Sequence, residues 1–488
     1  MGDAIYKDSF SPSERAEFAR RLQVQLTSLR ELLKSPPLNV RAPSFGAELE
    51  LYLVDSDYAP AAISETLLKQ MANPQLTPEL NRYNLEFNMT PVSAQGHPFA
   101  AMERELRQLM QRLQEEARAL DCNILPIGIL PTLQQAHLSQ DYMSDRPRYH
   151  ALNRGINALR GADYDIHIDG EDPLSLRGEG VTVEGANTSF QVHLRVPAAD
   201  FAKWFNAAQL TAPLVLALGA NSPLIAGHRL WQESRIALFK QSVDYRQHDN
   251  PGWREPARVS FGHGWVREGA WELFAENVAL YPPLIPALFP EQQQQQSGPM
   301  FSELRLHHGT IWPWNRPVYD HHDGGHLRIE FRSLPAGPTI TDMLANAALS
   351  IGWAVGLQDR IDSYMAGLPF RFAEYNFYRA AQFGLDAELI WPRAGGVGLE
   401  LRPITELIRE LLPLAAVGTA ELGVTSGDTE HLWEVLQQRL AMKSNGASWQ
   451  LRRFAAHRQT LPVAESCAAM LAEYVENVMV GAPVATWC

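Results

Sequence analysis

Four segments of the chain alternate between apolar and polar side chains, and that alternation limits what they can build. They are Ser44–Asp55 (SFGAELELYLVD), Tyr83–Pro91 (YNLEFNMTP), Thr188–Val196 (TSFQVHLRV) and residues 323–335 (DGGHLRIEFRSLP). A period of two is the period of a β-strand, so successive side chains point to opposite faces. One face reads Leu49 and Leu51, Leu85 and Phe87, Val192 and Leu194, Ile329 and Phe331. Such a face belongs against a helical layer. The other carries Glu48 and Glu50; Asn84, Glu86 and Asn88; Gln191, His193 and Arg195; Arg328, Glu330 and Arg332. For one strand alone the plainest account is a polar face turned to solvent. Glu, His and Arg recurring on all of them, where exposed faces usually carry Thr, Ser and Lys, favour a wet cavity in which these groups meet. Carboxylates, an imidazole and guanidiniums at such density suit metal ions together with anionic phosphate.

The intervening chain supplies helices. Ser11-Pro12-Ser13-Glu14 combines an N-cap serine, a proline in the first turn and a glutamate three residues after the cap, which predicts a helix from about residue 12 to Leu33. A short helix is expected around 64–71 and a strongly amphipathic one over 98–120, returning to a strand at 122–127. Helical signals flank Asn221-Ser222-Pro223, and beyond Thr341 the pattern is mainly helical. The expectation is an α+β chain with a core at 1–340 and a mainly helical part, 341–488, packed on it. Residues 291–299 (EQQQQQSGP) read as a solvated loop without a function of their own.

Composition removes several function classes. A formal charge of -13 argues against a binder of nucleic-acid backbones and against a protein that docks on anionic membranes. The cysteines, Cys122, Cys467 and Cys488, have no CxxC spacing, so neither a disulfide scaffold nor structural zinc is expected, and a reducing cytoplasm fits. The start lacks a basic region followed by an apolar one, and runs such as Leu214 to Ala220 are too short to span a bilayer. No Walker loop, GxGxxG turn, GxSxG elbow or kinase catalytic set occurs. Hard carboxylate donors favour Mg²⁺ or Mn²⁺, and arginines on the same surface favour phosphate. His307-His308 and His321-His322-Asp323 lack zinc-protease spacing and read as structural or substrate-adjacent. Two other readings stay open at this level: a metal-dependent hydrolase using Glu48, His193 and Glu330 around an activated water, and a non-catalytic sensor of nucleotide or amino acid.

Glu48-x-Glu50 on an early strand, Leu85-Glu86-Phe87-Asn88-Met89-Thr90-Pro91, Gln191-Val192-His193 and Arg328-Ile329-Glu330-Phe331-Arg332 resemble, in order and strand context, the glutamate-cysteine ligases and related carboxylate-amine ligases of the glutamine synthetase fold. Ala220-Asn221-Ser222-Pro223, followed by Ser234-Arg235, is similar to two further elements of that family. The resemblance implies a curved, mainly antiparallel sheet forming a funnel backed by helices, with nucleotide and amino acid entering from opposite ends. It implies that Glu48, His193 and Glu330 hold one divalent ion near the ATP phosphates and that Glu50 and Glu86 hold another near the substrate carboxylate. A further carboxylate belongs on the second ion, and no motif identifies it. Arg332 is expected to face the transferred phosphoryl group. Arg235, Arg328, Arg195 and Gln191 are expected to bind substrate. The implied reaction is ATP-dependent ligation of the glutamate γ-carboxylate to an amine through an acyl phosphate. Cysteine is the default acceptor, and another amine is the alternative.

Overall fold

The computed structural model describes residues 5–39, 42–246, 255–290, 298–393 and 397–488. The loop expected at 291–299 therefore lies outside the described residues except for Gly298 and Pro299. The central sheet has eight strands: β1 (Ser44–Val54), β2 (Leu76–Pro78), β3 (Asn84–Asn88), β4 (Val92–Ser93), β5 (Asn123–Leu125), β6 (Phe190–Val196), β7 (Asn315–Asp320) and β8 (His326–Phe331). Their order is β7-β8-β6-β1-β3-β2, with β4 and β5 pairing to the two ends of β1, and every pairing is antiparallel.

Register sets what the sheet presents. Glu50 lies opposite Glu86 on β3, and Glu48 lies opposite Gln191 on β6. His193 lies opposite Glu330 on β8, which in turn lies opposite Arg316 on β7. A slip of one residue in any of these pairings would send the carboxylates into the core, so burial of the other face fixes the alignment. That face, with Leu49, Leu51, Phe87, Val192, Leu194 and Ile329 buried, joins one core with the helices behind it.

The helices Phe201–Gly219 and Ile340–Gly356 are buried on nearly every side, so they are apolar all round rather than amphipathic. Pro98–Arg118 covers the sheet from further out with one apolar stripe. Ile404–Glu421 lies so close to Ile340–Gly356 that a Cβ placed on Gly418 would sit 2.0 Å from the Gly352 carbonyl oxygen, so glycine is required there by packing. No single helix among the described residues is long and apolar enough to cross a membrane.

The strands at β1, β3, β6 and β8 appear where alternation placed them, each trimmed at its ends. Strands β2 and β7 carried no readable period. β2 has three residues ending in a proline, and β7 (NRPVYD) contains Pro317, which the fold tolerates because β7 is an edge strand. A hairpin, Glu388–Pro392 with Leu399–Pro403, interrupts the C-terminal helices.

The C-terminal residues are tied to the core by buried polar contacts. Tyr474 donates to the Pro126 carbonyl at 2.9 Å and accepts from Asn221 at 2.8 Å. Asp342 pairs with Arg439 at 2.6 Å and accepts from the Val484 backbone, all three fully or nearly fully buried. Replacing Asp342 by alanine strands the Arg439 charge in the interior. The expected loss is about 3–5 kcal/mol, read as a lowered urea midpoint with near-native secondary structure before the transition.

Candidate active site

The polar faces of the sheet converge on one cavity of ≈ 480 Å³, with the helix Pro147–Arg160 and the segment around Arg305 to Gly309 forming its far walls. Glu48, Glu50, Glu86, Gln191, His193, Arg328, Glu330 and Arg332 all line it. Two donor clusters form on its floor. Glu48, His193 and Glu330 each bring one ligand atom within 4.8 Å of the others, and Glu50, Glu79 and Glu86 do the same. Glu79, which no motif identified, adds a third carboxylate to Glu50 and Glu86.

Each cluster is electrostatically distinct. Glu330 is fully buried, and burial by itself would raise its carboxyl. Arg316, donating through Nε and Nη2 at 2.5 and 3.0 Å, and Arg332, donating through Nη1 at 2.8 Å, outweigh that and hold it well below the usual carboxylate range. Burial lowers the His193 imidazole to about 4, against the pull of Glu48, whose oxygen lies 3.4 Å from Nε2. The ring is therefore neutral, and among the described residues neither ring nitrogen has a hydrogen-bond partner.

In the second cluster the shifts go the other way. Burial pushes Glu50 up to about 7, with the Glu86 carboxylate adding to it and Arg332 opposing. Burial and then Glu86 and Glu50 push Glu79 well above its ordinary value, and burial and then Glu48 raise Glu86. Glu50 accepts from the Ser189 backbone at 2.6 Å and from Gln191 at 2.7 Å; Glu86 accepts from Thr77 at 3.0 Å and Asn88 at 2.7 Å. These bonds aim the carboxylates without neutralising them.

An unpaired neutral imidazole among carboxylates and a crowded acid trio are donor sets that fit hard divalent cations.

The remaining expected residues separate. Arg332 Nη1 is bound to Glu330 and to the Gln191 side-chain oxygen, which fixes its direction at the cavity wall. Arg328 lines the cavity and lies 3.6 Å from Asp320. Arg235 is not among the cavity-lining residues: it is buried, pairs with Glu233 at 3.1 Å and donates to the carbonyls of Ser333 and Arg332 at 3.1 and 3.2 Å, while its charge still acts on Glu50. Arg195 lies 3.8 Å from Asp323 and is not among the cavity-lining residues. Asn221-Ser222 also serves this rear network, since Ser222 donates to Glu233 at 2.7 Å. His308 is a wall residue fixed by Asn277 and the Pro317 carbonyl, and His307 is tied to the Asn277 carbonyl. Asp320, His321 and His322 gather at the rim.

Glu79, Arg148, Glu184 and Arg316 line the cavity and were missed by sequence reasoning. Reading Leu76–Asn88 as a hairpin turning at Asn81-Arg82 would have placed Thr77 opposite Glu86 and Glu79, two residues on, towards the same face. Arg316 lay in a proline-interrupted edge strand, and Arg148 and Glu184 carry no local signal.

Comparison with known proteins agrees with this geometry. The profile of glutamate-cysteine ligase family 2 matches residues 44–417. A candidate glutamate-cysteine ligase 2 of Trichormus variabilis is 23% identical over 414 residues, covering 83% of this chain and 86% of that one. Among solved structures, the glutamate-cysteine ligase of Francisella tularensis in complex with AMP superposes with a TM-score of 0.57 at 11% identity, covering 90% of this chain and 89% of that one. A bifunctional glutathione synthetase of Pasteurella multocida gives 0.52 at 10% identity over 96% of this chain and 55% of that one. At these identities the structural likeness establishes the fold: an α+β architecture of glutamine synthetase-like type, with a mainly antiparallel sheet and helices behind it.

Two outcomes are expected. First, Glu50, Glu79 and Glu86 are raised in the folded chain, so the folded state keeps protons that the unfolded chain loses near the ordinary value of 4.5. Metal-free stability therefore falls as pH climbs from 4.5 towards about 7, the value reached by Glu50. Thermal unfolding in a chelator should show a Tm declining by a few degrees across that window, Glu79→Gln should flatten the decline, and Mg²⁺ should restore Tm at its upper end. Second, Arg235→Lys loosens the backbone that carries Arg332, so steady-state kinetics should show kcat falling by about 10-fold or more with little change in the amino-acid KM.

Proposed function

The chain belongs to glutamate-cysteine ligase family 2, and from that premise we propose that it joins the γ-carboxylate of glutamate to an amine, cysteine by default, converting ATP to ADP and phosphate. It is an ATP-dependent carboxylate-amine ligase. The observation that carries the finer reading is the placement of Arg332 on the sheet face between the two donor clusters, bonded to Glu330 of one and, through Gln191, to Glu50 of the other.

A carboxylate does not acylate an amine at neutral pH, because oxide is a poor leaving group. Transfer of the γ-phosphoryl group to the carboxylate oxygen gives an acyl phosphate, whose leaving group is phosphate. Mg²⁺ or Mn²⁺, held by Glu48, His193 and Glu330 and by Glu50, Glu79 and Glu86, would supply the charge neutralisation that brings triphosphate and carboxylate together. The chain's own groups do the positioning. Arg316 keeps Glu330 ionised and its oxygens fixed. Neutral His193 offers a lone pair instead of a charge. Although burial works against its charge, the Glu330 and Glu50 carboxylates raise Arg332, so its guanidinium stays cationic and faces the oxygens of the transferring phosphoryl group. The helix Pro147–Arg160 and the segment around Arg305 to Gly309 wall the cavity on its far side, and exclusion of water there would protect the acyl phosphate from hydrolysis. The amine nitrogen then attacks the acyl carbon, the bond to phosphate breaks, and a proton is released.

ADP release by the purified protein with glutamate, Mg²⁺ and a panel of amines, with mass spectrometry of the products, tests this reading. γ-Glutamylcysteine is the expected product. Amide formation with other amines and none with cysteine would move the acceptor and keep the ligase chemistry. Turnover without ATP, accompanied by stoichiometric zinc, would replace the proposal with a hydrolase. Glu86→Gln removes one charge from the crowded trio and is expected to lower ADP release by about 10²-fold or more while leaving the metal-free protein folded.

A further inference from the structure

We propose that the outer edge of the C-terminal hairpin pairs with the same edge of a second copy of this chain, antiparallel and about a two-fold axis at Leu401, so that the protein is a dimer. The hairpin consists of β9 (Glu388–Pro392) and β10 (Leu399–Pro403), which form a small sheet of their own. None of its residues lines the catalytic cavity.

The direction of each backbone group in the hairpin is fixed by its neighbours. In a paired antiparallel strand the N–H and C=O of one residue point to the same side, and that side alternates along the chain. Both groups of Ile390 are held by the Asn376 side chain, which accepts from the N–H and donates to the C=O, each at 2.8 Å. They therefore face away from β10. Ile390 lies opposite Leu401, so the N–H and C=O of Leu401 face away from β9. Bonds beyond the two ends of the strands agree: the Arg393 N–H donates to the Gly398 carbonyl at 3.1 Å and the Ile404 N–H to the Ala387 carbonyl at 2.9 Å. Leu399, Leu401 and Pro403 are thus the residues of β10 turned outward, and among the described residues no backbone partner meets the outward groups of Leu399 and Leu401.

Sheet edges are usually blunted by lysine, by a bulge or by a covering element. The far edge of β9 is covered by Asn376 from the helix Phe370–Phe383. β10 has no such guard. It carries no lysine, its register with β9 is unbroken, Leu401 is 60% exposed, and proline enters only at its last residue.

What fits this edge is the edge itself. Antiparallel pairing about Leu401 sets Leu401 against its own copy, where the two exchange N–H···O=C bonds. It sets Leu399 against Pro403, whose carbonyl accepts from the Leu399 N–H although its own nitrogen has nothing to donate. Between these pairs Glu400 falls opposite Arg402 of the second copy, and Arg402 opposite its Glu400, at the non-hydrogen-bonded positions where cross-strand side chains approach most closely. A shift of the register by two residues either way would set Glu400 against Glu400 or Arg402 against Arg402, so the charges select the one alignment. Arg402 already reaches Glu410 at 2.8 Å, and Arg393 lies 3.8 Å from Glu400. Both pairs lie at the surface, where such contacts hold little, and a guanidinium has donors for a second carboxylate. Because the far edge of β9 is covered, the sheet made by two hairpins closes as a dimer instead of growing into a fibre.

Sedimentation velocity of the full-length protein is the test. Wild type at tens of micromolar should run at twice the mass of one chain. Leu401→Pro removes the outward N–H and spares the bonds to β9, while Glu400→Arg or Arg402→Glu sets like charges opposite each other; each is expected to weaken the dimer about tenfold or more. Mixing the Glu400→Arg protein with the Arg402→Glu protein puts opposite charges back at both positions, so the mixture should associate within about threefold of wild type. Damage to the fold by either substitution would give no such rescue. A wild type that stays monomeric, a monomer whose edge takes up an added extended peptide of unrelated sequence, a dimer that survives all three substitutions, or a mixture that fails to associate would overturn the pairing.

Discussion

Glu330 is gripped by Arg316 from the edge strand and by Arg332 just past the end of its own strand, in the middle of the polar face and out of contact with solvent. A carboxylate buried there without those guanidiniums would protonate, and the guanidiniums without it would be stranded charges. Because Arg316 and Glu330 lie opposite each other on the paired strands β7 and β8 and Arg332 directly follows β8, the register of that pairing sets the charge state of the site. Arg332 receives its direction from the same contact, and His193 lies one strand over, beside the ionised carboxylate. Position and ionisation are thus set by one arrangement of backbone hydrogen bonds.

The acid trio on the other side of β1 has the opposite character. Glu50, Glu79 and Glu86 are gathered on the cavity floor, aimed by hydrogen bonds from Ser189, Gln191, Thr77 and Asn88, and no lysine or arginine side chain among the described residues is in direct contact with any of the three; Arg332, Arg235 and Arg148 act on them only at a distance. The fold therefore holds repulsion that a divalent ion relieves. One cluster is neutralised by the protein and the other is left for a ligand, and Arg332 bridges them. That asymmetry is what a reaction between triphosphate and carboxylate requires, since charge must be partly supplied and partly awaited.

Behind the sheet, Arg235, Glu233, Ser222 and Asn221 make a buried network that reaches forward to the Arg332 carbonyl and back to Tyr474 and Gln450 in the C-terminal helices. Residues more than a hundred positions apart are joined there to fix one strand end. By the family resemblance Arg235 was expected to bind a substrate carboxylate; in the structure its guanidinium pairs with Glu233 and donates to the Arg332 and Ser333 carbonyls, at the end of the strand that carries Glu330.

The strands carrying Glu48, Glu50, Glu86, His193 and Glu330 were legible because a half-buried strand must alternate, and alternation is a local property of a few consecutive residues. The helix at Pro12–Leu33 was legible for the same reason, through its cap and its spacing. Glu79, Arg148, Glu184 and Arg316 were not, because none lies in a segment whose own pattern constrains it: one follows a three-residue strand, one opens a helix, one sits in a turn, and one precedes a proline on an edge. Arg235 shows the converse, since a charged residue near a motif can point to either side of a sheet. The sequence by itself determined which faces are polar and which donors they carry. Only the tertiary structure decided which charges meet, because pairing across strands and the closing of distant loops over the cavity depend on contacts between residues that no short window of sequence contains.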